Sequence, residues 1–189
     1  MESLETKRFE QPKIVVINGV SSVGKTSVAK AIQDHAKRAF LHVQMDDFLR
    51  MLPRRAFESR EGLVFQRIDS QTIDVQSGDL VERALVGMRN AVASMAECGN
   101  NMVVDDVFFA DEDADYRRLL SRYDYRLVGL FAPLEVVQER ERMRGDRDIG
   151  LAKGQYDRVH TGRVYDLKMD TSQTSPDQIA KGICEVFSL

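Results

Sequence analysis

In the stretch "INGVSSVGKTSVAKAI", from Ile17 to Ile32, Gly19, Gly24, Lys25 and Thr26 satisfy the spacing G-x-x-x-x-G-K-[ST]. Two glycines at that separation let a short loop curl with its backbone N–H groups pointing inward, at the start of a helix whose dipole favours anions. Such a loop cradles nucleotide phosphates: the lysine ammonium reaches the β and γ phosphates and the threonine hydroxyl ligates Mg²⁺. Gly19, Ser21, Ser22, Val23, Gly24, Lys25, Thr26 and Ser27 are therefore the expected nucleotide contacts, with Lys25 also catalytic. The competing reading is an ordinary glycine turn with a surface lysine. Against it stand the β-branched run "KIVVI" before the loop and the helical recurrence of Val28, Ala31, Ile32 and Ala36 after it. The chain has no N-K-x-D and no D-x-x-G motif, which counts against a GTPase and makes ATP with Mg²⁺ the expected pair.

Two pairs of adjacent carboxylates follow β-like runs, where ligands of an open α/β sheet collect. Asp46 and Asp47 follow "LHVQM", and Asp46 is the expected catalytic base, accepting a proton from a hydroxyl as it attacks the γ-phosphoryl group. Asp47 is expected as a helix N-cap or a partner of a metal-bound water. Asp105 and Asp106 close "MVVDD"; alternation along a strand separates their tasks, and Asp105 joins Thr26 as the expected metal-side group. Arg140, Arg144 and Arg147 recur at i, i+4 and i+7, forming one stripe if a helix continues through Gly145. The functional expectation is a lid whose Arg140 and Arg144 contact nucleotide and whose Arg144 and Arg147 neutralise transferring phosphate; the bland alternative is a solvated charged helix. His35, His42 and His160 lack zinc-like spacing, and His160 is expected to be an ordinary packing residue.

The elements that must position these groups alternate. "KIVVI", "LHVQM", "NNMVVDD", "YRLVGLFA" and "VYDLKMD" read as five strands, with an amphipathic helix from about Gly78 to Cys98 and a last helix opened by Ser175 and Pro176. That rhythm implies a parallel sheet with helices on both faces. It breaks once, at residues 54–78, where "LVFQRI" and "TIDV" flank Asp69-Ser70-Gln71 and predict an inserted hairpin. The hairpin and the "FLRMLPRRAF" segment are expected to wall a second substrate's pocket, with Phe48, Met51, Leu52 and Phe57 apolar and Arg50, Arg54 and Arg55 polar.

With 189 residues, 27 basic and 30 acidic side chains, the chain is expected to be one domain with no field recruiting nucleic acid or a membrane surface. Residues 1–12 read as a mobile lead-in and 140–163 as the lid. Cys98 and Cys184, both in apolar segments, read as buried thiols of a soluble cytoplasmic protein. Oligomeric state stays open.

The segments "INGVSSVGKTSVAKAIQ", "MDDFLRMLP", "VVDDVFF", "RGDRDIGLAKGQYDRVH" and "VYDLKMDTS" together resemble the chloramphenicol phosphotransferase-like family of small P-loop kinases, in order and spacing, from about residue 13 to 188. The resemblance implies an α/β P-loop NTPase fold of adenylate-kinase-like topology and ATP-dependent transfer to a hydroxyl of a small-molecule alcohol, such as an antibiotic. It places the family's aspartate base on Asp46. "DDF" also resembles the acceptor-side motif of uridine and nicotinamide riboside kinases, again at Asp46. Residues 54–79 match the family poorly, so the resemblance supports the reaction type more than chloramphenicol as acceptor. A nucleotide-gated regulatory module without transfer and a toxin-like kinase of a sugar nucleotide are the alternatives.

Overall fold

The fold is described here from a computed structural model covering residues 11–145 and 148–189. Ile14, Val15, Val16 and Ile17 are all fully excluded from solvent, which a strand achieves only at the centre of a sheet covered on both sides. They form β1 (Lys13–Asn18). The other strands are β2 (Phe40–Gln44), β3 (Leu63–Asp69), β4 (Thr72–Ser77), β5 (Asn101–Asp106), β6 (Asp124–Phe131) and β7 (Leu167–Asp170). Five of them make one parallel sheet in the order β2-β5-β1-β6-β7.

Because side chains alternate, each strand feeds two cores. Val15, Ile17, Val103, Val128 and Leu130 pack with Val28 and Ile32 of α1 (Lys25–His35) and with Ile179 and Ile183 of the last helix, Pro176–Phe187. Ile14, Val16, Met102, Val104 and Leu127 pack with Met88, Val92 and Ala96 of the helix Asp79–Glu97 and with Tyr116. Fully burying one such aliphatic side chain contributes about 1.5–3 kcal/mol, so the two faces together hold the strand ends at a common edge.

The remaining helices follow from local signals. In chain order, α2 is Met45–Arg50, α3 is the helix Asp79–Glu97, α4 is Glu112–Leu119, α5 is Leu134–Arg144, α6 is Leu151–Tyr156 and α7 is the last helix, with a short 3₁₀ turn at Arg54–Glu58. Ser175 caps α7 reciprocally with Gln178, and Pro176 opens its first turn. α5 ends at Arg144 because Gly145 takes φ 65°, a left-handed stop. The arginine stripe therefore does not run on as one helix, and the expected Arg147 lies outside the described residues. The expected fifth strand shortens to four residues, Leu167–Asp170. α4 has one fully buried side chain, Tyr116, too little for a periodic signal. Cys184 is buried as expected, whereas Cys98, just past α3, is exposed.

β3 and β4 form the antiparallel hairpin, turned by Asp69, whose carboxylate accepts the Gln71 N–H at 2.7 Å. α6 is its support. Ile73 N donates to Gly150 O at 3.0 Å, and a Cβ on Gly154 would lie 1.9 Å from Ile73 O. These two glycines, within the expected lid segment 140–163, allow backbone to rest on backbone. Gly154→Ala should force β4 off α6, an overpacking cost of about 1–3 kcal/mol. Hydrogen exchange should quicken in β3, β4 and α6 while the protection of β1 and β5 stays at the parent level; unchanged protection in the hairpin would contradict the close packing.

Candidate active site

The parallel register sets Ile17 opposite Asp105 and Gln44 opposite Asp105, so the carboxyl ends of β1, β2 and β5 converge. The loop from Gly19 to Gly24 leaves β1 there. Gly24 takes φ 105°, where a side chain would be strained, and passes directly into α1. Inside the loop Lys25 is buried, its Nζ donating to Gly19 O at 2.9 Å and Val20 O at 3.2 Å and lying 3.9 Å from Asp105 Oδ1. Thr26 Oγ1 donates to Asp105 Oδ2 at 2.6 Å.

Ser21 Oγ and Ser22 Oγ are buried with no hydrogen-bond partner among the described residues, and the Ser21 N–H is met by Gln155 Oε1 at 2.7 Å. Orphaned hydroxyls and inward donors at a helix N-terminus suit phosphate oxygens. Thr26 and Asp105 supply hard oxygens suited to Mg²⁺. Among the described residues no group of three His, Cys, Asp or Glu could hold a metal by itself. His42 lies behind, its Nε2 3.9 Å from Asp105 Oδ2, with burial holding its pKa below the usual range.

The next residue faces the other way. Asp106 accepts the Val107 N–H at 2.8 Å and the Tyr116 O–H at 2.9 Å, and burial pushes its pKa up to about 6 against those bonds. It borders a cavity of about 440 Å³ between α2, the hairpin and α3. Asp46, in the first turn of α2, borders both this cavity and the small phosphate-side cavity lined by Lys25, Thr26 and Asp105. Asp47 is exposed and paired with Arg50. It caps nothing, because α2 starts at Met45 and the N-cap position falls on Gln44.

A second cavity of about 430 Å³ lies on the far side of the loop, between Ser22, Val23, Gly24 and Ser27 and the residues Arg140, Met143 and Thr171. Arg140 is fastened there: Nη1 donates to Thr171 Oγ1 at 2.9 Å, Nη2 to Thr171 O at 2.6 Å, and Nη1 to Val23 O at 3.3 Å. Arg144, one turn on, borders both this cavity and the phosphate-side one.

Of the expected acceptor walls, Phe57 and Arg50 border the 440 Å³ cavity, whereas Met51 is 72% exposed, Phe48 packs into the core, and Leu52, Arg54 and Arg55 are not on its wall. The hairpin supplies Leu63, Phe65 and Val75. Sequence reasoning missed Met45, Leu49, Val81, Leu85, Phe109 and Arg89. A signal for Arg89 existed: it interrupts the buried stripe of Val81, Met88, Val92 and Ala96 on α3.

Five parallel strands, a phosphate loop between β1 and α1, and a carboxylate between two cavities define a P-loop kinase fold. The chain belongs to the chloramphenicol phosphotransferase-like family, whose profile it matches over residues 12–188. Among proteins of known sequence it is 29% identical over 184 residues to the "Putative O-phosphotransferase Rv2636" of Mycobacterium tuberculosis, covering 93% of this chain and 82% of that one. Among solved structures it is similar to the Mycobacterium tuberculosis APS kinase CysC in complex with AMPPNP and APS, with a TM-score of 0.65, 16% identity and 95% and 99% of the two chains covered. It is also similar to the Deinococcus radiodurans tunicamycin resistance protein, with a TM-score of 0.63, 20% identity and coverage of 95% and 97%. Among the described residues no helix is long and apolar enough to cross a membrane.

His160 sits behind the phosphate loop. Its ring stacks on Phe131 with centroids 3.9 Å apart, and Nδ1 lies 2.7 Å from the Tyr165 hydroxyl, which accepts from Asn18 Nδ2 at 2.6 Å. Burial, outweighing its bond to the Leu130 backbone, pushes its pKa down to about 4. A depressed histidine favours the fold while neutral, so its contribution is present above about pH 6.5 and lost as pH falls toward 4. After discounting for partial solvation, His160→Gln should remove about 1–2 kcal/mol of the stability difference between pH 7 and pH 4.5. Denaturation at both pH values checks it, and an unaltered difference would contradict the assignment.

Proposed function

We propose that the protein moves the γ-phosphoryl group of ATP to a hydroxyl of a small molecule held in the 440 Å³ cavity. The observation that carries this is the place of Asp46, the carboxylate bordering both that cavity and the phosphate side. In this role Asp46 accepts the proton of the acceptor hydroxyl as the hydroxyl oxygen forms its bond to the γ phosphorus. The bond from that phosphorus to the β–γ bridging oxygen breaks, and ADP leaves with the electron pair. Lys25 and the loop N–H groups meet charge on the phosphates, and Arg144 adds a cation from α5. Bound Mg²⁺, held through Thr26 and Asp105, would neutralise phosphate charge. The nucleoside would lie in the cavity beside Arg140.

Family membership supports the phosphotransferase class, and chloramphenicol is one candidate acceptor among neutral antibiotics and metabolic alcohols. Acceptor-dependent formation of ADP and of a phosphorylated product is the direct test. Lys25→Ala should fold and lose about 10²–10³ in rate. Asp46→Asn should lose about 10²–10⁴ in rate with ATP affinity nearly unchanged. Full transfer by a folded Asp46→Asn protein would remove the base assignment.

A further inference from the structure

Arg89 projects from α3 into the wall of the 440 Å³ cavity with only 5% of its surface exposed. Its Nε donates to Asp115 Oδ2 at 3.2 Å, and neither Nη group makes a hydrogen bond among the described residues. A guanidinium has five N–H donors, so four are left for whatever fills the cavity. A buried donor that stays unpaired is costly, and a ligand that supplies its partner is selected over one that does not.

The charge around Arg89 narrows the class of that partner. Asp115 is in direct ion pairing and Asp106 acts on Arg89 electrostatically, so the guanidinium is already balanced. The same wall carries Asp46, Glu82 and Asp148 together with Glu112, which pairs with Arg163, while its other arginine, Arg50, is paired with Asp47. A carboxylate or phosphate on the ligand would enter a net negative surround. An uncharged carbonyl oxygen accepts the same hydrogen bonds without that repulsion.

We infer that Arg89 is the specificity-determining residue of this cavity, giving its Nη donors to an amide or ketone carbonyl on an uncharged alcohol whose apolar body packs against Leu63, Val81 and Leu85. The inference rests on the cavity being the acceptor site. It differs from the transfer reading in needing no turnover to be tested.

The probes are N-benzylacetamide and benzoate, titrated into the full-length protein and followed by amide NMR shifts. N-benzylacetamide should shift α3 and hairpin resonances and bind at least about 10-fold more tightly than benzoate, a difference of about 1.4 kcal/mol. Arg89→Met should weaken the amide about 10-fold. Arg89→Lys keeps the charge beside Asp115 but loses the planar fork, so it should weaken the amide several-fold in a folded protein. It carries the test if the methionine variant does not fold. Parent affinity in folded Arg89→Lys, benzoate binding as tightly as the amide, or no binding of the amide at this cavity would overturn the inference. Because N-benzylacetamide has no hydroxyl to phosphorylate, its Arg89-dependent binding tests this inference alone, and the kinase reading stands or falls separately on acceptor-dependent ADP formation with an alcohol.

Discussion

The parallel pairing of β1 with β5 is the constraint on which the site depends. It places Asp105 beside the last apolar residue of β1, so that the loop leaving β1 returns Lys25 and Thr26 to the same carboxylate. The buried ammonium and the buried carboxylate lie 3.9 Å apart, so each offsets part of the other's desolvation. Each supplies part of what the other lacks, and the Gly19 and Val20 carbonyls complete the lysine's shell. Shifting the register by one residue would turn the strand over and take Asp105 away from the loop.

The pleat also divides labour. Asp105 and Asp106 are neighbours in the chain, yet one faces the phosphate loop and the other borders the acceptor-sized cavity. Their surroundings differ accordingly: Asp105 meets a hydroxyl and an ammonium, whereas Asp106 is buried against Tyr116 and titrates near pH 6. The two chambers adjoin at Met45, Asp46, Val107 and Gln155, which line both, and α2 sets Asp46 at that junction.

What the sequence disclosed was local. The loop, the buried β1, the terminal helix with its Ser175 cap and the hairpin's alternation each rest on residues close together in the chain, where spacing carries the geometry. What it withheld was assembled over long separations. Arg89 meets Asp115 only because α3 and α4 lie side by side, and α4, with Tyr116 as its single fully buried residue, shows no apolar stripe. The single arginine stripe depended on a helix through Gly145, and that condition is not met, because the glycine takes a left-handed turn and ends α5. The cavity wall was expected from "FLRMLPRRAF" and the hairpin; Arg50, Phe57 and the hairpin do border the cavity, whereas the share supplied by α3 was not legible.

α6 is six residues long, and adjacent positions on it touch the phosphate loop and the hairpin. Gln155 holds the Ser21 N–H of the phosphate loop, while Gly154 lies against Ile73 of the hairpin. A phosphate oxygen that takes the Ser21 donor must compete with Gln155, and a helix so short and so tightly seated has little room to yield at one end without moving the other. If nucleotide and acceptor occupy the two chambers as proposed, their binding would be linked through α6, and any such linkage runs equally in both directions.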